Sequence, residues 1–250
     1  MEKLNQSRNF KIAATGVFGA LSVILSITPL GYIMIPGTPI NLTTMHITAI
    51  LAAVTAGLVP GMCVGFIFGL TSFIKTAMTG GTGLGVFFLN PLVSVLPRIL
   101  FPMAAYFVFK LLCLIPKMPK VISASVAAAA GTFCNTLFVM LGIYITAGGA
   151  QMVTGMNNAI QMAQEFGISL ANIDFFTGFV LLMAVMLAAN GIWEILGAVI
   201  ITAAVISAMY VSSKKKSKLS AIETELETET SAEKEKNADT EKIVETESEQ

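Results

Sequence analysis

Residues 90–114, NPLVSVLPRILFPMAAYFVFKLLCL, decide the class of fold. Apart from Arg98 and Lys110 this run carries no charge, and it exceeds the roughly 20 helical residues that cross the hydrocarbon core of a bilayer. The whole chain of 250 residues is 55% hydrophobic and 12% charged, about half the charged share of a soluble domain. The sequence therefore predicts an integral membrane protein.

Working outward from this run, the chain shows six apolar segments, which predict an all-α bundle of six transmembrane helices. The first lacks an A-x-A-like cleavage site and is interpreted as a retained span rather than a signal peptide. The second and third are short and adjoin at Gly57, typical of a helix end, and Pro60, typical of a helix start. We expect a tight helical hairpin there. The segments are residues 11–27, 44–58, 61–76, 92–114, 121–146 and 177–211.

The basic residues outside the spans predict the orientation. If the N-terminus is cytoplasmic, Lys75 alone lies on the outer side, and both termini lie inside. The outer connections, 28–43, 77–91 and 147–176, are then long, and form either a lid over a site that opens outward or simple connectors. The inner basic residues are Lys3, Arg8, Lys11, Lys110, Lys117, Lys120, Lys214, Lys215, Lys216 and Lys218.

Two domains are expected from the change in composition near the C-terminus. Residues 1–213 form the membrane domain. Residues 214–250 begin with the basic stop KKKSK and continue as a Glu- and Thr-rich segment of low complexity. Such a segment buries too little apolar surface to fold alone, so it is predicted to be a disordered cytoplasmic tail.

The sequence lacks the patterns of an enzyme. It contains neither a G-x-x-x-x-G-K-[ST] nucleotide loop nor an H-E-x-x-H motif. Cys63, Cys113 and Cys134 have no short spacing and the chain has one His, so no metal site is expected and the thiols are interpreted as buried and inert. We expect no enzyme activity, no metal and no cofactor in this chain.

Small residues predict where helices approach closely. Gly61, Gly65 and Gly69 recur every fourth residue and share one face of the third span, which lets another backbone come near. Gly16 and Ala20 show the same spacing on the first span. Spacing favours packing inside the bundle for that pair, with a smooth outer surface for a second membrane protein as the alternative.

Three ionisable residues lie at or near membrane depth: Lys75, Arg98 and Glu194. Each costs about 2.5–3.5 kcal/mol at the centre of a span, and less near its ends. Lys75 can extend to the headgroups. Arg98 either forms an ion pair with Glu194 or, with or without Lys75, binds an anionic ligand group, since its planar guanidinium matches a carboxylate. The two interpretations are compatible if Glu194 orients Arg98.

Polar and aromatic residues add further candidates for a site. Asn190 and Gly191 can loosen the sixth helix and expose polar backbone towards a cavity. Trp193 either fills the core, which is favoured, or stacks on a ligand. His46 is more often satisfied by a neighbouring carbonyl in such a place. The residues that could hydrogen-bond a ligand at the outer ends of their helices are His46, Asn41 and Asn90.

Three stretches carry a family resemblance. Residues 39–83, PINLTTMHITAILAAVTAGLVPGMCVGFIFGLTSFIKTAMTGGTG, are followed by 87–110, FFLNPLVSVLPRILFPMAAYFVFK, and then by 190–195, NGIWEI. Together they resemble the substrate-binding S components of energy-coupling factor (ECF) transporters, most nearly their pantothenate-type branch. The resemblance covers roughly residues 8–211, which is all but the tail.

The resemblance implies a six-helix, vitamin-binding subunit of the bacterial cell membrane that topples to release its substrate inside. Its implied partners are a transmembrane coupling protein and two cytoplasmic ATPases, which hydrolyse the ATP. Ligands in this family lie near the outer side, under the loops after helices one, three and five. Small residues on the first helix face the coupling protein, and the matching positions here are Gly16 and Ala20.

We therefore expect a multi-pass subunit that captures a water-soluble vitamin or precursor, pantothenate first, with Arg98 as anchor. Trp193 would supply an apolar wall, and no nucleic acid is involved. The alternatives are another vitamin (a pyrimidine, pyridoxine or a folate-like compound) taken up in the same way, or a stand-alone carrier or channel. The residues expected to contribute polar contacts are Asn90, His46, Asn190, Lys75, Glu194 and Asn41.

Overall fold

A computed structural model describes residues 7–34, 41–80, 83–165, 179–180, 183–184 and 187–248. The described chain is mainly α-helical, as the sequence predicts. It also contains one short antiparallel pair of strands, β1 (Tyr32–Met34) and β2 (Asn41–Thr43), which the sequence did not predict. The helices are α1 (Arg8–Ile27), α2 (Met45–Ala56), α3 (Leu58–Thr79), α4 (Pro91–Ser94), α5 (Leu96–Leu112), α6 (Lys120–Glu165) and α7 (Ile192–Ser248).

Among the described residues, five helical stretches are long and apolar enough to cross a membrane, and α2 is a shorter apolar helix. The third predicted span was too short, because α3 already begins at Leu58 and has 22 residues. The predicted placement of both termini in the cytoplasm stays a prediction. The five stretches are Arg8–Ile27, Leu58–Thr79, Pro91–Leu112, Lys120–Thr146 and Ile192–Ser220.

Helix α2 is the centre of the bundle. All 12 of its residues are buried, and α1, α3, α5 and α6 pack around it. A helix that is hydrophobic all round occurs in the core of a large protein or as a membrane span, and α2 is enclosed by its neighbouring helices. At 1.5 Å per residue it extends roughly 18 Å, well short of the bilayer core.

The predicted hairpin between α2 and α3 is confirmed and is tighter than expected. Gly57 alone separates the two helices, with a φ of 110°, a backbone conformation that favours glycine. Its N–H closes α2 by donating to the carbonyls of Ala52 and Ala53. A Cβ added at Gly61 would lie 2.5 Å from the Cβ of Ala53, so glycine is what lets the two helices lie so close.

Helix α6 and the segment before α7 depart from the predicted boundaries. α6 has 46 residues and continues through much of the connection predicted at 147–176, because that part has no proline and is rich in Ala, Gln and Met. The start of the sixth predicted span lies outside the described residues. Its described part contains a π-helical turn at Leu187–Gly191, which confirms the local loosening expected at Asn190 and Gly191.

The C-terminal tail is helical to Ser248, where the sequence predicts disorder. Its many Glu, Lys and Ala residues have high helix propensities, which favour this backbone without a packed core. Internal contacts divide the chain into Met1–Ala204 and Val205–Gln250. The predicted division into 1–213 and 214–250 stays a prediction.

The three cysteines carry free thiols. Cys63 and Cys113 are exposed, so the predicted burial was wrong for these two. Cys63 lies on an outward face of α3, and Cys113 follows the last turn of α5. Apolar sequence surroundings do not separate a lipid-facing position from a core position in a membrane helix.

Candidate functional site

A cavity of about 230 Å³ lies between the helices of the first unit. Such clefts between packed helices are common sites for small ligands. Its polar lining comes from Thr43, Ser72, Thr76, Arg98, Asn135, Thr136, Asn190 and Glu194. Its apolar lining comes from Phe68, Phe88, Val139, Met140 and the backbone of Gly191.

The prolines of the run quoted above help to position Arg98. Pro97 has no N–H, so it cannot donate to the carbonyl of Val93 four residues earlier. That carbonyl accepts a hydrogen bond from Arg98 Nη1 at 2.9 Å. The Arg98 side chain thus donates to the Val93 carbonyl, which Pro97 leaves without a helical donor.

Two aromatic rings flank the guanidinium of Arg98. Its Cζ lies 4.5 Å from the ring centroid of Phe88 and 5.5 Å from that of Phe68. In a desolvated setting a cation over a ring face gains about 2 kcal/mol. With a relative exposure of 6%, Arg98 lies at the cavity wall and away from bulk solvent.

Glycines of α3 bring its backbone against the segment that carries Arg98. A Cβ at Gly65 would lie 2.0 Å from the Arg98 carbonyl oxygen, and one at Gly69 would lie 2.8 Å from the Val95 Cα. Pro102 withholds the helical donor that the Arg98 carbonyl would otherwise receive. The predicted close approach at this glycine stripe is confirmed, and it sets the position of the arginine.

Glu194 joins the strand pair to α7. Its Oε1 accepts a hydrogen bond from the Thr43 N–H at 2.8 Å and a second from the Thr43 hydroxyl. Arg98 and Glu194 both line the cavity, while their predicted ion pair stays a prediction.

The contact between Thr43 and Glu194 gives a first testable prediction. Glu194→Ala is expected to lower the free energy of unfolding by about 1–3 kcal/mol, because it leaves the two partly buried donors of Thr43 without an acceptor. Thr43→Val should cost less, since the backbone N–H remains. In a double-mutant cycle measured by thermal unfolding in detergent, the two changes should be non-additive by about 0.5–3 kcal/mol. Additive effects would show that the contact contributes nothing.

The start of α7 explains which neighbours of Glu194 reach the cavity. Gly191, Glu194, Ala198 and Thr202 are buried, a spacing that places them on one helix face. Trp193 lies off this face and is 52% exposed. Its favoured role in the core was therefore wrong, and its predicted role as an apolar wall for the ligand stays a prediction.

Asn90 and Lys75, which were predicted to contact a ligand, are not among the residues that line the cavity. Asn90 caps α4 by accepting from the Leu92 N–H at 3.0 Å. The Nζ of Lys75 donates to the Ser26 carbonyl at 3.1 Å. The side chain of Asn41 lies outside the described part of the chain. For Asn90 and Lys75 the structure shows structural hydrogen bonds.

His46 is fully buried in α2 and does not line the cavity. The backbone of Thr43 lies beside its ring. Even so, neither ring nitrogen has a hydrogen-bond partner of ordinary geometry among the residues that the structure describes. The predicted contact of His46 with a ligand stays a prediction.

Gly16 and Ala20 are both exposed on α1. A Cβ added at Gly16 would meet no atom within 4 Å. Gly19 is instead the residue of this helix that packs inward, where an added Cβ would lie 2.8 Å from Ile67. The interior packing that spacing favoured for Gly16 and Ala20 was wrong, because the buried face of α1 includes Gly19, Ser22 and Ser26.

The sequence analysis missed Asn135, which lies in α6 with a relative exposure of 8% and lines the cavity. It follows Thr132 and precedes Val139 on the buried face of that helix. An amide at helical spacing on the buried face of an otherwise apolar span was the available signal.

The chemical groups of the lining are suited to binding a small polar molecule. Among the described residues no group of three or more His, Cys, Asp or Glu side chains could hold a metal ion. The lining offers one cation, one carboxylate, two amides and several hydroxyl groups around aromatic and aliphatic walls. Such a lining matches a small polar ligand that carries a negative group.

Comparison with known proteins places the chain in a family. The model of the family "ECF transporter, substrate-specific component" matches residues 10–206, which include every residue of the cavity. The chain is also 24% identical over 219 residues to the Pantothenic acid transporter PanT of Lactococcus lactis subsp. cremoris (strain MG1363). That alignment covers 82% of this chain and 96% of the relative. The chain belongs to the family of substrate-specific components of ECF transporters.

Proposed function

We propose that this chain captures a small water-soluble vitamin or vitamin precursor, with pantothenate as the first candidate, and presents it for uptake across the bacterial cell membrane. The substrate occupies the cavity at Arg98. The relative named for pantothenic acid transport supports the choice of candidate.

The observation that carries this proposal is a buried arginine on the wall of a small cavity. Placing a guanidinium at membrane depth is costly, and such residues usually mark a substrate pathway or a binding site. Arg98 lines the cavity and is the only cation among the described lining residues. Its planar donors match the two oxygens of a carboxylate.

The size and polarity of the cavity agree with a compact substrate. Its volume of about 230 Å³ lies just below the roughly 300–1,000 Å³ typical of small-molecule sites. Pantothenate carries a carboxylate, an amide and hydroxyl groups along a short aliphatic chain. These groups can pair with the arginine, the two amides and the hydroxyl groups of the lining.

The energy for uptake is proposed to come from partner subunits. The sequence has no nucleotide-binding loop, so ATP would be hydrolysed by two ATPases that act through a transmembrane coupling protein. We assign the surface of α1 around Gly16 and Ala20 to that coupling protein, since both residues are exposed and small residues let helices approach in lipid.

The proposal is tested with the purified chain in liposomes. The protein alone should bind pantothenate, seen as a bound mass in native mass spectrometry and as saturable binding of radiolabelled pantothenate. It should not accumulate pantothenate inside the liposomes, since nothing in the chain couples to ATP.

Other outcomes would contradict the proposal in distinct ways. Flux without partner subunits would indicate a stand-alone carrier or channel. Tight binding of a neutral vitamin from a panel, with no binding of pantothenate, would keep the capture function and reject the anionic substrate.

A further inference from the structure

We propose that Asn135 is a specificity-determining residue, which makes the site selective for a carboxylate that also carries hydroxyl or amide groups. The inference rests on the proposed capture function and deepens it. Arg98 alone would accept many small anions, whereas a second polar contact on α6 would select among them.

The geometry at Asn135 points to a ligand contact. The residue lines the cavity and is more than nine-tenths buried. Its Oδ1 is inaccessible to solvent and has no hydrogen-bond partner within the described parts of the chain. Buried polar atoms in native proteins almost always have a partner, and we assign that role to the ligand of the cavity that Asn135 lines.

The polar side chains next to Asn135 satisfy their hydrogen bonds within α6. One turn earlier, Thr132 is fully buried, and its hydroxyl donates to the Ala128 carbonyl at 2.9 Å. Thr136 also lines the cavity, and its hydroxyl donates to the Thr132 carbonyl at 3.5 Å. The Oδ1 of Asn135 can only accept, and the N–H groups inside a helix already donate to backbone carbonyls, so this atom needs a partner outside its own helix.

The chemistry of an amide defines the class of ligand. Its oxygen accepts from a hydroxyl or an N–H, and its NH₂ group donates to a carbonyl or a hydroxyl. The lining also contains Arg98, which pairs with an anion, and Val139 and Met140, which add apolar surface. The cavity therefore fits a hydroxylated or amide-bearing aliphatic carboxylate better than a plain fatty acid.

The test compares Asn135→Leu with Thr132→Val, a control on the same buried face that does not line the cavity. The ligands are pantothenate, the alcohol obtained by reducing its carboxyl group, and hexanoate. Asn135→Leu should weaken pantothenate binding about 10- to 100-fold, as expected when a buried hydrogen bond to a ligand is lost. It should weaken binding of the alcohol by a similar factor, because the carboxylate is not the group that Asn135 contacts.

The thermal midpoint provides a second readout, because it would fall in Asn135→Leu if Asn135 had a structural role. Since its Oδ1 has no partner in the described chain, Asn135→Leu should leave the thermal midpoint of the ligand-free protein unchanged or raise it. Thr132→Val should leave binding of all three ligands unchanged. Wild-type protein should prefer pantothenate to hexanoate, and Asn135→Leu should narrow that preference.

The outcomes separate the two proposals. Unchanged pantothenate affinity in Asn135→Leu, or a lowered thermal midpoint with binding retained, would overturn the role of Asn135 and leave the capture function intact. Failure of the wild-type chain to bind pantothenate or any other vitamin would overturn the proposed function, and the role of Asn135 with it.

Discussion

Arg98→Gln is expected to weaken pantothenate binding about 100-fold or more, because it removes the cation that pairs with the carboxylate of the bound substrate. Glutamine keeps a polar side chain at the position but loses the positive charge and the planar fork. The pantothenate affinity of Arg98→Lys should lie between those of the wild type and Arg98→Gln, since lysine keeps the charge but loses the bidentate geometry. Isothermal titration in detergent measures all three affinities.

A matched control removes a positive charge elsewhere on the same helix. Lys110 is exposed in the last turn of α5 and does not line the cavity, so Lys110→Gln should bind pantothenate as the wild type does. The same series also tests the structural role of Arg98, whose Nη1 donates to the Val93 carbonyl.

The ratio of affinities separates anchoring from support of the fold. Wild-type protein should bind pantothenate far more tightly than the alcohol obtained by reducing its carboxyl group, and Arg98→Gln should abolish that preference. If Arg98 only supported the fold, Arg98→Gln would lower the affinities for both ligands by the same factor. Unchanged pantothenate affinity in a folded Arg98→Gln protein would eliminate the anchor.

Gly65→Ala should both destabilise the protein and impair binding, since it changes the surface against which the arginine segment packs. The added methyl would lie 2.0 Å from the Arg98 carbonyl oxygen and 3.1 Å from the Pro102 ring. Backbone cannot yield as a flexible side chain can, so α3 and α5 must separate. Overpacking of this kind costs about 1–3 kcal/mol, and the separation displaces Arg98 from the cavity wall.

Gly142→Ala is the control for Gly65→Ala. Gly142 faces the same segment from α6, but an added Cβ there would lie 3.6 Å from the Val93 Cα, an ordinary contact. Alanine also has the higher helix propensity at both positions. Thermal unfolding should show a lower midpoint for Gly65→Ala and an unchanged or higher one for Gly142→Ala. Equal midpoints would show that the close approach at Gly65 is not tight.

The helices were predictable from the sequence because lipid leaves the backbone few choices. Apolar runs of sufficient length must be helical, and Gly57 marked the turn between α2 and α3. The stripe of Gly61, Gly65 and Gly69 likewise predicted a close approach without naming the helix it would meet. The pair of strands was missed because β1 and β2 have three residues each.

The site was harder to predict, because membrane helices are apolar on the lipid side and on the core side alike. Arg98, Asn190 and Glu194 stood out by their chemistry, and all three line the cavity. Trp193 also stood out but is not among the residues that line the cavity. The helix face that it occupies depends on the π-helical turn that precedes α7. Asn135 was missed because an amide inside an apolar span was not weighed as a signal, and its sequence position alone does not show whether it faces the cavity.

The hydrogen bond between Arg98 and the Val93 carbonyl has a consequence for how the protein is made. Both groups belong to the same span, Pro91–Leu112, so this hydrogen bond of a side chain that is costly to place in lipid needs no other helix. Delivery of this segment into the membrane does not have to wait for α7, which is synthesised later. Pro97 leaves a carbonyl without a helical donor and Arg98 supplies one, so both changes are matched within a single segment of the nascent chain.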